Sequence, residues 1–394
     1  MDHILGYARP TGVPGIRNYV ICIHTVECSS FVSQRIAEID PRVQSVGFPG
    51  CYKNEYASRL MVALATHANV GAALLVSLGC EGTDASALAD AIRATGRPVE
   101  VLRIQEAGGT EASIAQGRQI VARMLAEIET TPRVQLRVSD LIVGTECGGS
   151  DGTSGIAANP AIGHAFDLLV DAGATAIIEE TLEMVGCRDI IARRAANPDV
   201  AAQLSRAIEK AEHFSQQVGQ FSIAPGNESG GLSTIEEKSM GAFMKCGSRD
   251  ISGVIKVAEK PSGKGLFVLD SVPDPSPFLF GYSNPNDSEG ILDLISSGAH
   301  LVVFATGRGS VIGSVISPVL KVCGNPKTYA RMSGDMDVNA GRIITGEATL
   351  AEVGREIYDT ILDVAAGKRT AAEILGHQEY CIPYKHQSNL CANV

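Results

Sequence analysis

The chain has 394 residues, 45% hydrophobic and 20% charged. That is ordinary globular composition, too long for one core, and it predicts two or three compact units. Its 33 Lys+Arg against 44 Asp+Glu give a formal net charge of -11, which excludes a nucleic-acid footprint or an anionic membrane surface but leaves room for a small acidic substrate in a locally positive pocket. MDHILGYARPTG carries no leader pattern, and no apolar run reaches the about 18–20 residues of a membrane span, so a cytoplasmic protein is expected. Ten cysteines spread along such a chain read as reduced thiols rather than a disulfide framework. Cys22, Cys187, Cys246, Cys323, Cys381 and Cys391 are expected to be buried, as free cysteines usually are.

The first third alternates strand-like runs (NYVICIHTV, VQSVGF, GAALLVSLG, VEVLRI) with amphipathic segments (FVSQRIAEI, EYASRLMVALATH, DASALADAIRATG, EASIAQGRQIVARMLAEI). Apolar β-branched runs separated by helices predict an α/β fold of doubly wound, mainly parallel sheets in two or three Rossmann-like units. Ligands of such sheets bind beyond the carboxyl ends of the strands. There, HTVECSS carries Cys28, GFPGCYKNE Cys51, SLGCEGTD Cys80, and TECGGSDG, after DLIVG, Cys147. Four thiols are thus expected on one rim of one sheet.

The second stretch reads as a helix over 159–172, the strand ATAIIEE and helices to about Gln217. FSIAPGNESGGLST is a boundary or a structured loop. TIEEKSMGAFMKCG and LAEVGREIYDTILDVAAG are helical, GLFVLD and AHLVVFATGRG are buried strands, and the tail YCIPYKHQSNLCANV has no clear period. The divisions drawn are 1–135, 136–225 and 226–394.

Several stretches could carry chemistry. In ECGGSDGTSGIAANP, Gly148, Gly149, Gly152 and Gly155 give backbone access, and Ser150, Thr153 and Ser154 add hydroxyls. A glycine loop running into a helix cradles an anion, and the same spacing also makes a tight turn. TGRG adds Arg308, whose guanidinium suits a carboxylate, phosphate or sulfonate; GIRN is a weaker version. EEKSMG places Lys238 where a buried lysine could act as general acid or base, although a solvated surface is the usual meaning of EEK. IEETLEM offers Glu180 and Glu183 for metal binding or proton transfer, or as a helix cap. The four loop thiols lack zinc-ribbon spacing, yet could converge on iron or an iron–sulfur cluster.

In this order GIRN, TVEC, THANVGAALLVSLGCE, ECGGSDGTSGIAANP, EETLEMVG, PGNESGGLSTIEEKSMG and VVFATGRG resemble the altronate and galactarate dehydratase family over nearly the whole chain. The resemblance implies a metal-dependent lyase that eliminates a β-leaving group from a 2-hydroxy carboxylate, with Fe2+ as cofactor, or Mn2+ or an iron–sulfur cluster in its place. Carried over onto this sequence, it marks a set of positions whose roles we assign: Lys238, Glu180 and Glu183 are read as catalytic groups. Arg17, Asn18, Gly148, Gly149, Ser150, Asp151, Ser154, Asn159, Asn227 and Arg308 would contact substrate, and Cys28, Cys51, Cys80 and Cys147 would hold metal. The family's usual small β-rich domain is not found ahead of GYARPTG, so a separately encoded small subunit is expected, within a homo- or hetero-oligomer. SVPDPSPFLFGYSNPNDSEG, rich in proline and aromatics, is where altered substrate selectivity is expected.

Overall fold

The computed structural model describes residues 4–217, 227–232, 234–272 and 286–385. Residues 221–226 and 233 of FSIAPGNESGGLST, residues 273–285 of the proline-rich stretch, and the tail beyond 385, with Cys391, lie outside them.

Strand β1 (Ile4–Tyr7) precedes a four-stranded sheet of β2 (Tyr19–His24), β3 (Val43–Gly47), β4 (Val70–Ser77) and β5 (Val99–Arg103), in the order β3-β2-β4-β5 and parallel throughout. The chain then returns through β6 (Arg133–Leu136), which pairs antiparallel with β1. A seven-stranded sheet follows: β7 (Ile142–Cys147), β8 (Thr175–Ile178), β9 (Ile251–Lys256), β10 (Gly265–Asp270), β11 (Leu301–Thr306), β12 (Val319–Cys323) and β13 (Val338–Asn339). Its order is β13-β12-β11-β7-β8-β10-β9, again with every pairing parallel. The expected α/β fold with parallel sheets is the one observed. The division at 225, however, separates no sheets: β7 and β8 on one side of it pair with β11 and β10 on the other.

The strands read as unbroken apolar runs because helices cover both faces. Every residue of β4 is buried. Alternation then sorts the side chains. Val20, Cys22, Leu74 and Val76 pack under helices Ser30–Ala37 and Thr110–Glu129. Ile21, Ile23, Ala73 and Leu75 share one apolar layer with Phe267, Leu269, Val302 and Phe304 of the larger sheet. The two sheets are therefore joined by a common core, and Tyr56 adds a hydrogen bond across it to Asp293 at 2.8 Å. On the far face of the larger sheet, Val268, Val303 and Ala305 lie under helices Asn159–Asp171 and Leu350–Ala365. Cys22, Cys187, Cys246 and Cys323 are buried as expected, and Cys381 is partly so.

Gly163 lets the helix Ile235–Met244 end directly against Asn159–Asp171. A Cβ there would stand 2.3 Å from the Met244 carbonyl oxygen and 2.9 Å from the Gly247 nitrogen. Gly163→Ala should therefore push that helix away and cost about 1–3 kcal/mol, read as a lowered melting temperature. Gly263→Ala, where a Cβ meets nothing within 4 Å, should leave it unchanged. Equal melting temperatures for both variants would contradict this packing.

Candidate active site

The carboxyl ends of β11, β7, β8 and β10 lie side by side, and the order departs from chain sequence between β7 and β11, the kind of switch point where open parallel sheets hold ligands. Cys147 is the last residue of β7, and Glu179 and Glu180 directly follow β8. Cys147 Sγ, one oxygen of Glu180 and one of Glu183 all fall within 4.8 Å of one another, the only such cluster of three potential ligands among the described residues.

Two lysines close on this acidic group from one helix. Lys238 Nζ lies 2.8 Å from Glu183 Oε2, 2.8 Å from Ser150 Oγ and 3.2 Å from Cys147 Sγ. Lys245, seven residues on and so on the same helical face, pairs with Glu180 with both side chains fully buried. Burial alone would weaken the proton affinity of Lys238, but the charges of Cys147 and Glu183 outweigh it and hold the ammonium above its usual range. Lys238 thus stands here as a cation, suited to stabilising negative charge or giving up a proton, rather than as a ready base.

Strand alternation sends the preceding residues to the opposite face. Glu146 and Glu179 face helix Asp287–Ser296, where a Cβ on Gly290 would be 2.5 Å from Glu146 Oε2 and 2.9 Å from Glu179 Oε2. Burial, then the charge of Glu179, pushes Glu146 well above the carboxylate range and favours its neutral form. Ser271, just past β10, donates to Glu179. Asp287 occupies the space beside Gly148, where a Cβ would lie 1.9 Å from its Oδ2. Burial, then Glu183, raises it to about 6.

The glycine loop does form, and a helical stretch runs on from it through a π-helical turn, Ser154–Ala158, into Asn159–Asp171. Its amino end is not an open anion cradle, because Asp151 caps it. Asp151 Oδ1 accepts from Thr153 N at 2.9 Å and Ser154 N at 3.2 Å, while Asn325 donates to Oδ2 at 2.9 Å. Ser154 Oγ accepts from Asp151 N. Gly149 O accepts from the backbone of Gly307 and Arg308, tying this loop to TGRG, with the exposed Arg308 at the rim. Asn227 is buried, its carbonyl closing the turn to Gly230.

Beside the loop is a cavity of about 220 Å³ lined by Ser150, Asp151, Ser154, Asn159, Lys238 and Gly241, among others. Asn159 donates to Gly241 O at 2.9 Å, but its buried Oδ1 has no partner among the described residues. Buried acceptors are normally satisfied, so this one is open to a ligand hydroxyl. Lys238 and Ser150 line the cavity and also touch Cys147.

Two expectations are corrected. Arg17 and Asn18 do not reach this site: Arg17 forms a bidentate pair with Glu373 at 2.7 and 2.9 Å and donates to the carbonyls of Val364 and Lys368. Asn18 bridges Arg9 and the Ile128 carbonyl. Nor do four thiols share one rim. Cys28, Cys51 and Cys80 follow strands of the smaller sheet and are exposed, whereas Cys147 ends a strand of the larger one and is buried. Sequence reasoning noted Glu146 as a carboxylate beside Cys147 but missed Lys245, Asp287 and Glu179; of these only Lys245 left a signal, its seven-residue spacing from Lys238.

Residues 6–129 match the family description D-galactarate dehydratase/Altronate hydrolase, second domain, and residues 138–388 match D-galactarate/Altronate dehydratase, C-terminal. The chain belongs to this family and is a lyase. It is 32% identical to the (2R)-sulfolactate sulfo-lyase subunit beta of Chromohalobacter salexigens, over 98% of both chains. It is also 32% identical to the galactarate dehydratase (L-threo-forming) of Escherichia coli, over 76% of this chain and 57% of that one. With the altronate dehydratase of Bacillus subtilis the identity is 28%, over 92% of this chain and 74% of the relative. Among the described residues no helix is long and apolar enough to cross a membrane.

Removing one member of a buried ion pair typically costs about 3–5 kcal/mol, so Arg17→Met should lower the unfolding free energy by about that much in denaturant titration and leave KM unchanged. A raised KM with unaltered stability would return Arg17 to the substrate site.

Proposed function

We propose that this chain is the catalytic subunit of a two-chain lyase that releases sulfite from (2R)-3-sulfolactate and leaves pyruvate. The observation that carries the reading is the 32% identity to a sulfo-lyase subunit beta, over 98% of each chain.

The chemistry is a β-elimination. The C2 proton leaves to a base, the C3–S bond breaks with its electron pair going to sulfite, and the resulting enol of pyruvate takes a proton at C3 to become the 2-oxo acid. Charge developing on the substrate carboxylate needs aimed positive groups in a site poor in water. Lys238 Nζ and Ser150 Oγ supply them from the cavity wall, with Arg308 at the rim for the sulfonate. Asn159 Oδ1 accepts the 2-hydroxyl. Asp287, beside Gly148 and near Glu183, is assigned the C2 proton, replacing Lys238 in that role. Lys245 holds Glu180 in place through their buried ion pair.

Iron fits the donor set. One thiol and two carboxylates suit a borderline divalent ion such as Fe2+ or Mn2+. Cys147, Glu180 and Glu183 would hold the ion, which would act as a Lewis acid toward a substrate oxygen.

The 32% identity to galactarate dehydratase favours a second reading, dehydration of a sugar acid. The test is direct: the protein with its small subunit, given (2R)-3-sulfolactate, should release sulfite and pyruvate in equal amounts. Formation of a 2-oxo acid from galactarate or altronate, without sulfite from sulfolactate, would overturn the proposal.

A further inference from the structure

At the opposite edge from the active site, where β4, β5, β10 and β11 begin, positive groups gather without an acidic partner. His67 comes just before β4, Arg97 just before β5, and Lys260 in the loop leading into β10, while Arg9 follows β1. Two guanidiniums converge on one turn: Arg9 Nε donates to Ala68 O at 2.6 Å, and Arg97 Nη2 to His67 O at 3.3 Å. Their chain neighbours also touch, since a Cβ on Gly96 would stand 3.0 Å from Pro10 Cβ. From the larger sheet, the ring of His300 comes to 6.3 Å from that of His67, centroid to centroid. Lys260 lies on the same side, its Cγ 3.8 Å from where a Cβ on Gly298 would be.

These cations differ from those of the active site and the shared core. Arg17, Lys238, Lys245 and Lys385 each meet a carboxylate, whereas among the described residues Arg9, Arg97 and Lys260 form no ion pair. Arg9 and Arg97 are only 8% and 3% exposed. Burial, then the charge of Arg97, lowers Arg9 to about 9, and burial lowers Arg97 to about 10. Both therefore remain charged at neutral pH, and a buried charge without a counter-charge is costly.

Donors are left over as well. Arg97 Nε is buried and has no hydrogen-bond partner among the described residues. His67 Nδ1 accepts from Asn69 N at 3.1 Å, which places the proton of the neutral ring on Nε2, and that buried atom also has no partner there. Burial, then His300 and Lys260, keeps His67 well below the usual imidazole range. Lys260 is exposed, so its ammonium stands at the mouth. His300 adds no donor, because its two nitrogens are engaged with Pro14 O and Ile142 N, each at 3.1 Å.

Buried donors are normally satisfied, and guanidinium and ammonium groups side by side with an N–H donor suit a phosphate or sulfate. We propose that Arg97, His67 and Lys260, with the charge of Arg9 behind them, bind a small oxyanion of the phosphate or sulfate class. The site lies at the other end of the strands from the active one and is independent of which acid the enzyme cleaves. His67 and Arg97 belong to the four-stranded sheet and Lys260 to the seven-stranded one, so the bound anion ties the two together.

The experiment is the melting temperature of the full-length protein titrated with sodium phosphate or sodium sulfate, against sodium chloride at matched ionic strength. The wild type should show a rise that saturates, as ligand binding to the folded state requires. Lys260→Gln, a change at an exposed position, should keep wild-type kcat but need roughly tenfold more anion for the same rise, the loss of one charge-assisted hydrogen bond. Arg97→Met should lose the saturating rise, and Lys238→Met should keep it. A rise that grows only linearly with salt, as excluded salts produce, would overturn the proposal. So would a saturating rise that Lys260→Gln leaves unchanged, or one that Lys238→Met abolishes.

Discussion

Two lysine ammonium groups in the protein interior set the terms for everything around them. Lys238 is 4% exposed and Lys245 not at all. An unpaired buried charge is costly by several kcal/mol, so each needs an acidic partner in a fixed place. Both sit on one helix, two turns apart, and meet groups supplied by the ends of β7 and β8. The parallel pairing of those strands brings Cys147 and Glu180 to the same level, and the turn after β8 returns Glu183 to them. Charge pairing, strand register and helix spacing thus have one joint solution, and it lies at the carboxyl edge of the sheet.

The shared core explains why this arrangement stays put. One apolar layer runs from the four-stranded sheet into the seven-stranded one, and the buried Lys385 touches Glu289 and Asp293, with Tyr56 bonded to the same Asp293. The helix Asp287–Ser296 is held between the sheets, and its first residue reaches the active site beside Gly148. Glycines at 148 and 307 are needed there for space: a Cβ on either would fall 1.9 Å from a carboxylate oxygen of the protein itself, Asp287 or Asp151.

The fold class and the centre of the site were legible in the sequence for the same reason: strand ends and helix starts are marked by composition, and Cys147, Glu180, Glu183 and Lys238 each sit at such a mark. Alternation across the sheet decided what stayed unsorted. Glu146 and Glu179 adjoin Cys147 and Glu180 in sequence but face the other side, which a list of strand-end residues does not separate. Arg17 shows a different limit. GIRN signals a constrained arginine, but the partner, Glu373, is 356 residues away, and no local pattern carries that. The glycine loop was read as an empty cradle because its cap, Asp151, is one of its own residues.

The central claim is that the ammonium of Lys238, held by Cys147 and Glu183, stabilises the charge that develops during elimination. It is tested most directly by kcat of the complete enzyme carrying Lys238→Met, with melting temperature and circular dichroism measured alongside. The account predicts a fall in kcat of roughly 10²–10³ with the fold retained. A well-folded Lys238→Met enzyme with near wild-type kcat would contradict it.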